Sequence, residues 1–287
     1  MDSGAVQSAC ALVIPFVVAS GAYKKKSLDL SGALAGFFVM AIHIWADIRF
    51  GAMLLAFFYS SSKLTKIGQE TKRLVDADFK VGGQRNWMQV LANSGVATIL
   101  VVVVSVLTDR KGLCLDSGKS TLITSLVGAI IGHYSCCNGD TWSSELGVLS
   151  KAQPRLITNF KPVRRGTNGG VTKDGLLAAA AAGSVIGLTF YVAGIYTKEC
   201  TNVALLKQLL VIPVAALAGL CGSVIDSLLG ATLQYSGFCS VRNKVVSMPG
   251  PTVKRISGRR VLDNNAVNFV SIFLTSVITA FVCQCVF

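Results

Sequence analysis

Two carboxylates stand inside a stretch apolar enough to be a membrane helix, in Gly132-His-Tyr-Ser-Cys-Cys-Asn-Gly-Asp-Thr-Trp-Ser-Ser-Glu-Leu-Gly147. A carboxylate is costly at such a depth and turns toward a bundle interior or a water-filled cavity. Asp140 and Glu145, with Asn138, Thr141 and Ser144, make an all-oxygen donor set that suits Mg²⁺. On an unbroken helix the two acids diverge by about 140° at 3.6 residues per turn. They serve one ion only if Gly139 marks a break or another helix completes the site. The plainer reading is polar glue between packed helices.

A second apolar stretch carries Gly219, Gly222, Asp226 and Gly230 at steps of three, four and four, hence on one helix face. Small residues at that spacing let helices approach closely, and Asp226 on the same stripe faces the bundle as a further candidate metal ligand. Between these stretches lies Lys161-Pro-Val-Arg-Arg-Gly-Thr-Asn-Gly-Gly-Val-Thr-Lys173. Lys161, Arg164 and Arg165 precede a turn formed by Gly166, Thr167, Asn168, Gly169 and Gly170, which leads into a helix N-terminus. Glycine lets backbone N–H groups converge on an anion, the helix dipole favours negative charge, and arginine grips phosphate oxygens bidentately. The bland alternative is an ordinary basic loop. Polar residues also open two other spans: Arg85 with Gln89 and Asn93, and Asp263 and Asn265 with Asn268. Asp and Asn there can equally be helix caps.

Other residues carry less. Gly112-Leu-Cys-Leu-Asp-Ser-Gly118-Lys-Ser-Thr121 imitates a nucleotide-binding P-loop, but five residues separate its glycines where the motif has four, and no strand precedes it. His43 and His133 are the only histidines and are expected to make packing hydrogen bonds. Of nine cysteines none shows CxxC spacing; Cys114 and Cys200 fall in connections on the same side and are candidates for a disulfide.

The elements that position these groups follow from composition. The 287 residues are 52% apolar and 14% charged, with a mean hydropathy of +0.59. Soluble domains carry roughly 25% charged residues, so the chain cannot cover a water-facing surface. Its net charge of +13 therefore points to basic loops at a membrane face, not to nucleic acid. Apolar runs at 5–22, 30–45, 50–60, 87–107, 122–149, 176–196, 203–235 and 266–287 predict a polytopic all-α helix bundle. Eight spans are expected, with seven the fallback, in a single integral-membrane domain over 1–287. With the N-terminus outside or lumenal, the inner segments 23–29, 61–86, 150–175 and 236–265 hold 21 of the 27 Lys and Arg. Segment 61–86 is expected to be a cytoplasmic or interfacial helix, and 150–175 and 236–265 basic loops. Asp2 before the first run and Lys24–Lys26 after it give the charge order of a retained span, not of a cleaved signal. All five polar clusters then reach the cytoplasmic face.

Three of these strings, taken in order with Leu262-Asp-Asn-Asn-Ala-Val-Asn-Phe269, resemble an integral-membrane family that includes plant phytyl-phosphate kinase. The likeness spans about residues 30–287 and is nearest to a non-plastid plant branch linked to glucose response. It implies transfer of a phosphoryl group from a nucleotide, CTP by preference, to an isoprenoid monophosphate. Asp140, Glu145 and Asp226 would hold Mg²⁺, and Lys161, Arg164, Arg165 and the Thr167–Gly170 backbone the phosphates. The prenyl tail would lie between helices, in the plasma membrane or an endomembrane. Two other functions fit the same residues: a non-catalytic regulator of sugar response, and a transporter. A transporter should carry polar groups into the outer half as well.

Overall fold

The protein is described by a computed structural model that covers residues 3–75, 83–112, 114–197, 200 and 202–287. Among the described residues the chain forms ten helices: α1 (Ser3–Lys24), α2 (Leu30–Ala46), α3 (Ile48–Thr65), α4 (Gln69–Val75), α5 (Trp87–Leu107), α6 (Ser117–Leu149), α7 (Lys173–Thr197), α8 (Asn202–Gln208), α9 (Val211–Leu233) and α10 (Asn264–Val286). Side-chain caps set several of their starts. Asp29 accepts from Gly32 N, Asp47 from Arg49 N and Asp263 from Ala266 N, while Asn86 and Gln89 form a reciprocal capping box.

Long-range hydrogen bonds define two ends. At one, Gln7 Nε2 donates to the Ile44 and Trp45 carbonyls, Gln208 bonds both backbone groups of Leu115, and Lys207 Nζ donates to Phe287 O. The Cys114–Cys200 disulfide foreseen in the sequence closes this end. At the other, Lys66 Nζ donates to Lys25 O, and the Arg85 backbone exchanges bonds with Ser27 and Asp29. Helices α1, α2, α3, α5, α6, α7, α9 and α10 thus run alternately between the ends, with α2 and α3 an antiparallel hairpin broken at Asp47.

Six of these helices are long and apolar enough to cross a membrane; α9 does so together with part of α8. The expectation of eight is met only in the count of helices running end to end. At 17 residues α2 is about 25 Å long, short of a hydrocarbon core of about 30 Å. Helix α3 carries Arg49, Lys63 and three successive serines. Two of its polar side chains are spent inside the protein: Arg49 is buried against Asp47, and Ser61 is buried against Asn138. Large apolar residues such as Leu12, Phe16, Phe38, Ile99, Val106 and Phe281 stay exposed, which in water would be an aggregation hazard and in lipid is the wetted surface.

Helix α6 runs through the middle, with Ile130, Ile131 and Tyr134 fully buried. Both histidines serve packing, as expected. His43 bridges Val39 O at 2.8 Å and the Tyr134 hydroxyl at 2.6 Å, and His133 Nε2 meets Asn93 O at 2.9 Å.

The bundle is not purely helical. Strands β1 (Arg155–Leu156) and β2 (Gly170–Val171) pair antiparallel, and β3 (Ser236–Cys239) is flanked by β4 (Lys244–Val246) and β5 (Val253–Ser257). The two basic segments expected as loops are therefore partly sheet, because water at the membrane face permits strand edges that lipid forbids. Gly258 joins β5 to α10 at φ +69°, and a Cβ there would collide with the Gln234 carbonyl oxygen. Of segment 61–86, residues 61–65 end α3 and 69–75 form α4, while Asp76, Asp78, Lys80 and Gly82 lie outside the described residues. The P-loop imitation includes Leu113, also outside them; its remainder lies at the disulfide end, with Ser117–Thr121 in α6.

Candidate functional site

Helix α6 stays helical through Gly139, so the first condition for a metal site, a break there, is not met. The second is. Gly139 lies against the backbone of Gly219, and this close approach of α6 to α9 sets Asp140 beside Asp226 in one cavity. From α10, Ser271 Oγ donates to Asp226 Oδ2 at 3.2 Å. Ser223, one turn before Asp226, lines the same cavity. Three helices therefore converge on one carboxylate pair.

Glu145 is engaged elsewhere. It forms an ion pair with Lys72 of α4, whose ammonium also donates to the Leu64 and Thr65 carbonyls at 3.1 and 3.2 Å. Lys72 is thus a buried strap tying α4 to the end of α3 and to α6. Among the described residues no three His, Cys, Asp or Glu side chains come together as a metal cluster. The sequence trio divides into an aspartate pair and an ion-paired glutamate, as the about 140° divergence on a straight helix requires.

The segment after α6 folds back over this pair. Val163 N donates to Pro154 O and Leu156 N to Lys161 O, which turns the Lys161 side chain outward, exposed and off the cavity. The Arg164 guanidinium stacks on the Phe238 ring at 3.8 Å, so the loop is pinned to β3. Arg165 lines the cavity and makes no side-chain hydrogen bond or ion pair among the described residues. Gly169, at φ +76°, presses on α9, where a Cβ would lie 2.6 Å from Ser227 O. The backbone cradle expected over 167–170 is largely spent within the loop: Thr167 N donates to Arg164 O, Gly170 N to Thr167 O and Asn168 N to Ser236 Oγ. Within 164–170 the N–H groups left without an acceptor among the described residues are those of Arg164, Arg165, Gly166 and Gly169.

Together these residues line a cleft of about 500 Å³ at the end of the bundle opposite the disulfide. Of the residues singled out from sequence, it gathers Asp140, Glu145, Asp226, Arg164, Arg165, Gly166 to Gly170, Arg85, Asn93 and Asn265. Three do not reach it. Asn138 is buried one turn deeper, accepting from Ser60 and Ser61 and donating to Ala182 O. Asp263 caps α10, and Lys161 faces outward. Arg85 donates to Ser62 Oγ at 3.3 Å; burial pushes its guanidinium below the ordinary value, and nearby Glu145 opposes that shift. Lys72, Ser223 and Ser271 were missed. Ser223 at three residues before Asp226 was legible as a same-face neighbour; Lys72 sits in a mixed-charge segment without periodicity.

A family model described as "Integral membrane protein DUF92" matches residues 13–276. The chain is 66% identical over 270 residues to "Protein PGR" of Arabidopsis thaliana, covering 94% of each. It is 28% identical over 251 residues to an uncharacterized membrane protein of Methanocaldococcus jannaschii, covering 86% of this chain and 91% of that one. A further uncharacterized membrane protein, of Synechocystis, is 28% identical over 221 residues, covering 76% and 77%. No solved structure matches.

Proposed function

For a chain that belongs to the DUF92 family of integral membrane proteins, we propose that the polar cleft transfers a phosphoryl group from a nucleoside triphosphate to an isoprenoid monophosphate. The single observation that carries this is that Asp140, Asp226, Arg85 and Arg165 line one cleft. Carboxylates and guanidinium groups in the same cleft are what polyphosphate and its metal need. CTP as donor and a phytyl-like acceptor rest on the sequence resemblance.

The donor set fits a hard divalent cation. Neither aspartate belongs to an ion pair, since the pairs among the described residues are Arg49–Asp47 and Lys72–Glu145. Mg²⁺ is ordinarily held by one or two carboxylates with phosphate oxygens completing its shell, so a protein trio is not required. Asp140 and Asp226 would hold it, and it would supply neutralisation of charge on the transferring group. In the reaction an oxygen of the acceptor monophosphate forms a bond to the γ-phosphorus as the bond to the β-phosphate bridging oxygen breaks. The products are the diphosphate and a nucleoside diphosphate. The acceptor oxygen already carries negative charge, so no general base is needed. Arg165 and the free N–H groups of Gly166 and Gly169 orient phosphate oxygens, and Arg85 neutralises the acceptor; positioning and charge are most of what such transfer asks of a protein.

In this reading all eight end-to-end helices cross the bilayer, the N-terminus lies outside, and the cleft opens to the cytoplasm. The share of Lys and Arg on the cleft side, 21 of 27, supports that orientation. The reading is tested by giving purified protein in lipid nanodiscs phytyl monophosphate, Mg²⁺ and each common nucleoside triphosphate carrying a labelled γ-phosphate. Label should enter phytyl diphosphate; no transfer from any of them, by protein shown to be folded, overturns the assignment.

A further inference from the structure

A second cavity, of about 50 Å³, lies between α1, α2, α3 and α5 and shares Arg85, Gln89 and Asn93 with the polar cleft. Its remaining wall is apolar: Leu28, Met40, Leu54, Phe57, Phe58 and Val90 are representative. The hydroxyl of Ser94, which also faces it, is tied back to Val90 O at 2.6 Å. Arg85 is the one charged residue lining it. The Asn93 side chain makes no hydrogen bond among the described residues, and its backbone carbonyl is taken by His133 and Cys137. Arg85 and an unengaged Asn93 amide are thus shared by a roomy polar space and a narrow apolar one.

Resting on the phosphotransferase reading, we infer that this slot takes the head-proximal hydrocarbon of a single-chain isoprenoid phosphate, with its phosphate at Arg85 and Asn93. An apolar slot that leads away from a cationic junction matches an amphiphile with an anionic head. The slot holds a tenth of the volume of the cleft, so only the carbons next to the head enter it.

Gly36 of α2 lines the slot, and a Cβ built there would meet only Leu28 Cδ1, at 3.5 Å. A larger side chain at this helical position therefore enters the slot without striking backbone. The experiment uses the full chain in nanodiscs and a geranylgeranyl monophosphate probe with a diazirine in its first isoprene unit. Photolabelling is mapped by peptide mass spectrometry. Label is expected on 36–40, 54–58 and 90–94, competed by unlabelled geranylgeranyl monophosphate, unchanged in Gly36→Ala and reduced about tenfold in Gly36→Phe. Label spread over lipid-facing residues, or undiminished in a folded Gly36→Phe variant, overturns the inference. Because wild-type labelling is read without turnover, the two readings separate. Label in the slot without diphosphate formation keeps the slot and removes the kinase; diphosphate formation with label elsewhere does the reverse.

Discussion

Gly139 of α6 lies so close to Gly219 of α9 that a Cβ on Gly139 would sit 2.6 Å from the Gly219 carbonyl oxygen. The next residue, Asp140, meets Asp226 of the same partner helix. The backbone contact is the device that brings the acids together. Gly139→Ala must push the helices apart, at a cost of about 1–3 kcal/mol for overpacking. A lower melting temperature in detergent and a larger fractional loss of phosphoryl transfer are expected; a variant with wild-type melting and activity would refute the role given to the contact.

Lys72 and Glu145 form a mostly buried ion pair, and removing one partner strands the other's charge. Lys72→Met is expected to destabilise the protein by about 3 kcal/mol, and Lys72→Met combined with Glu145→Gln by less than the single change. Recovery should be partial, since Lys72 also caps the Leu64 and Thr65 carbonyls. The check is a double-mutant cycle on thermal or denaturant midpoints. Simple additivity would mean that the pair is not coupled.

Adjacent arginines should separate. Arg164 stacks on Phe238, so Arg164→Ala loosens the loop from β3 and costs about 1 kcal/mol of stability. Arg165 has no such partner, and Arg165→Ala should leave melting unchanged while raising the nucleotide KM about tenfold, with Arg165→Lys in between. Equal effects of the two alanine variants on both stability and KM would go against this division.

How much of this was legible beforehand differs by element. Lipid demands long apolar runs and tolerates carboxylates only where they are enclosed, so the spans and Asp140 and Asp226 stood out. The hairpin of α2 and α3 was visible as two short runs, but hydropathy says nothing of Arg49 and Ser61 facing inward. Strands β3 to β5 were hidden because three to five residues in a basic segment leave no periodicity long enough to read. The Gly166–Gly170 turn was read as a phosphate cradle before a helix start, and the structure shows it lining the cleft. Which of its N–H groups remain free depends on Ser236 and Arg164, and spacing alone cannot supply that. Asn138 and Asn93 look alike in sequence; one is consumed by Ser60, Ser61 and Ala182, and the other faces the cleft.

The Cys114–Cys200 bond closes a span of 86 residues at the end away from the cleft. Peptide mapping without reductant should recover the two cysteines linked, and reduction should lower the melting temperature, consistent with about 2–4 kcal/mol for a native disulfide. Free thiols at both positions in freshly isolated membranes would place that end in a reducing compartment and reverse the proposed orientation.

The apposition of Asp140 and Asp226 is tested most directly by one comparison. Transfer of labelled γ-phosphate from CTP to phytyl monophosphate, with Mg²⁺, is measured for wild type, Asp140→Asn and Asp226→Asn in nanodiscs, alongside their melting temperatures. Each variant should lose at least about a hundredfold in rate, the scale of removing one preorganised charge group. Each should melt at or above the wild-type temperature, because two carboxylates side by side repel and one amide relieves them. Wild-type rates in both variants, or a loss of rate that merely follows a loss of folding, would contradict a catalytic role for the pair.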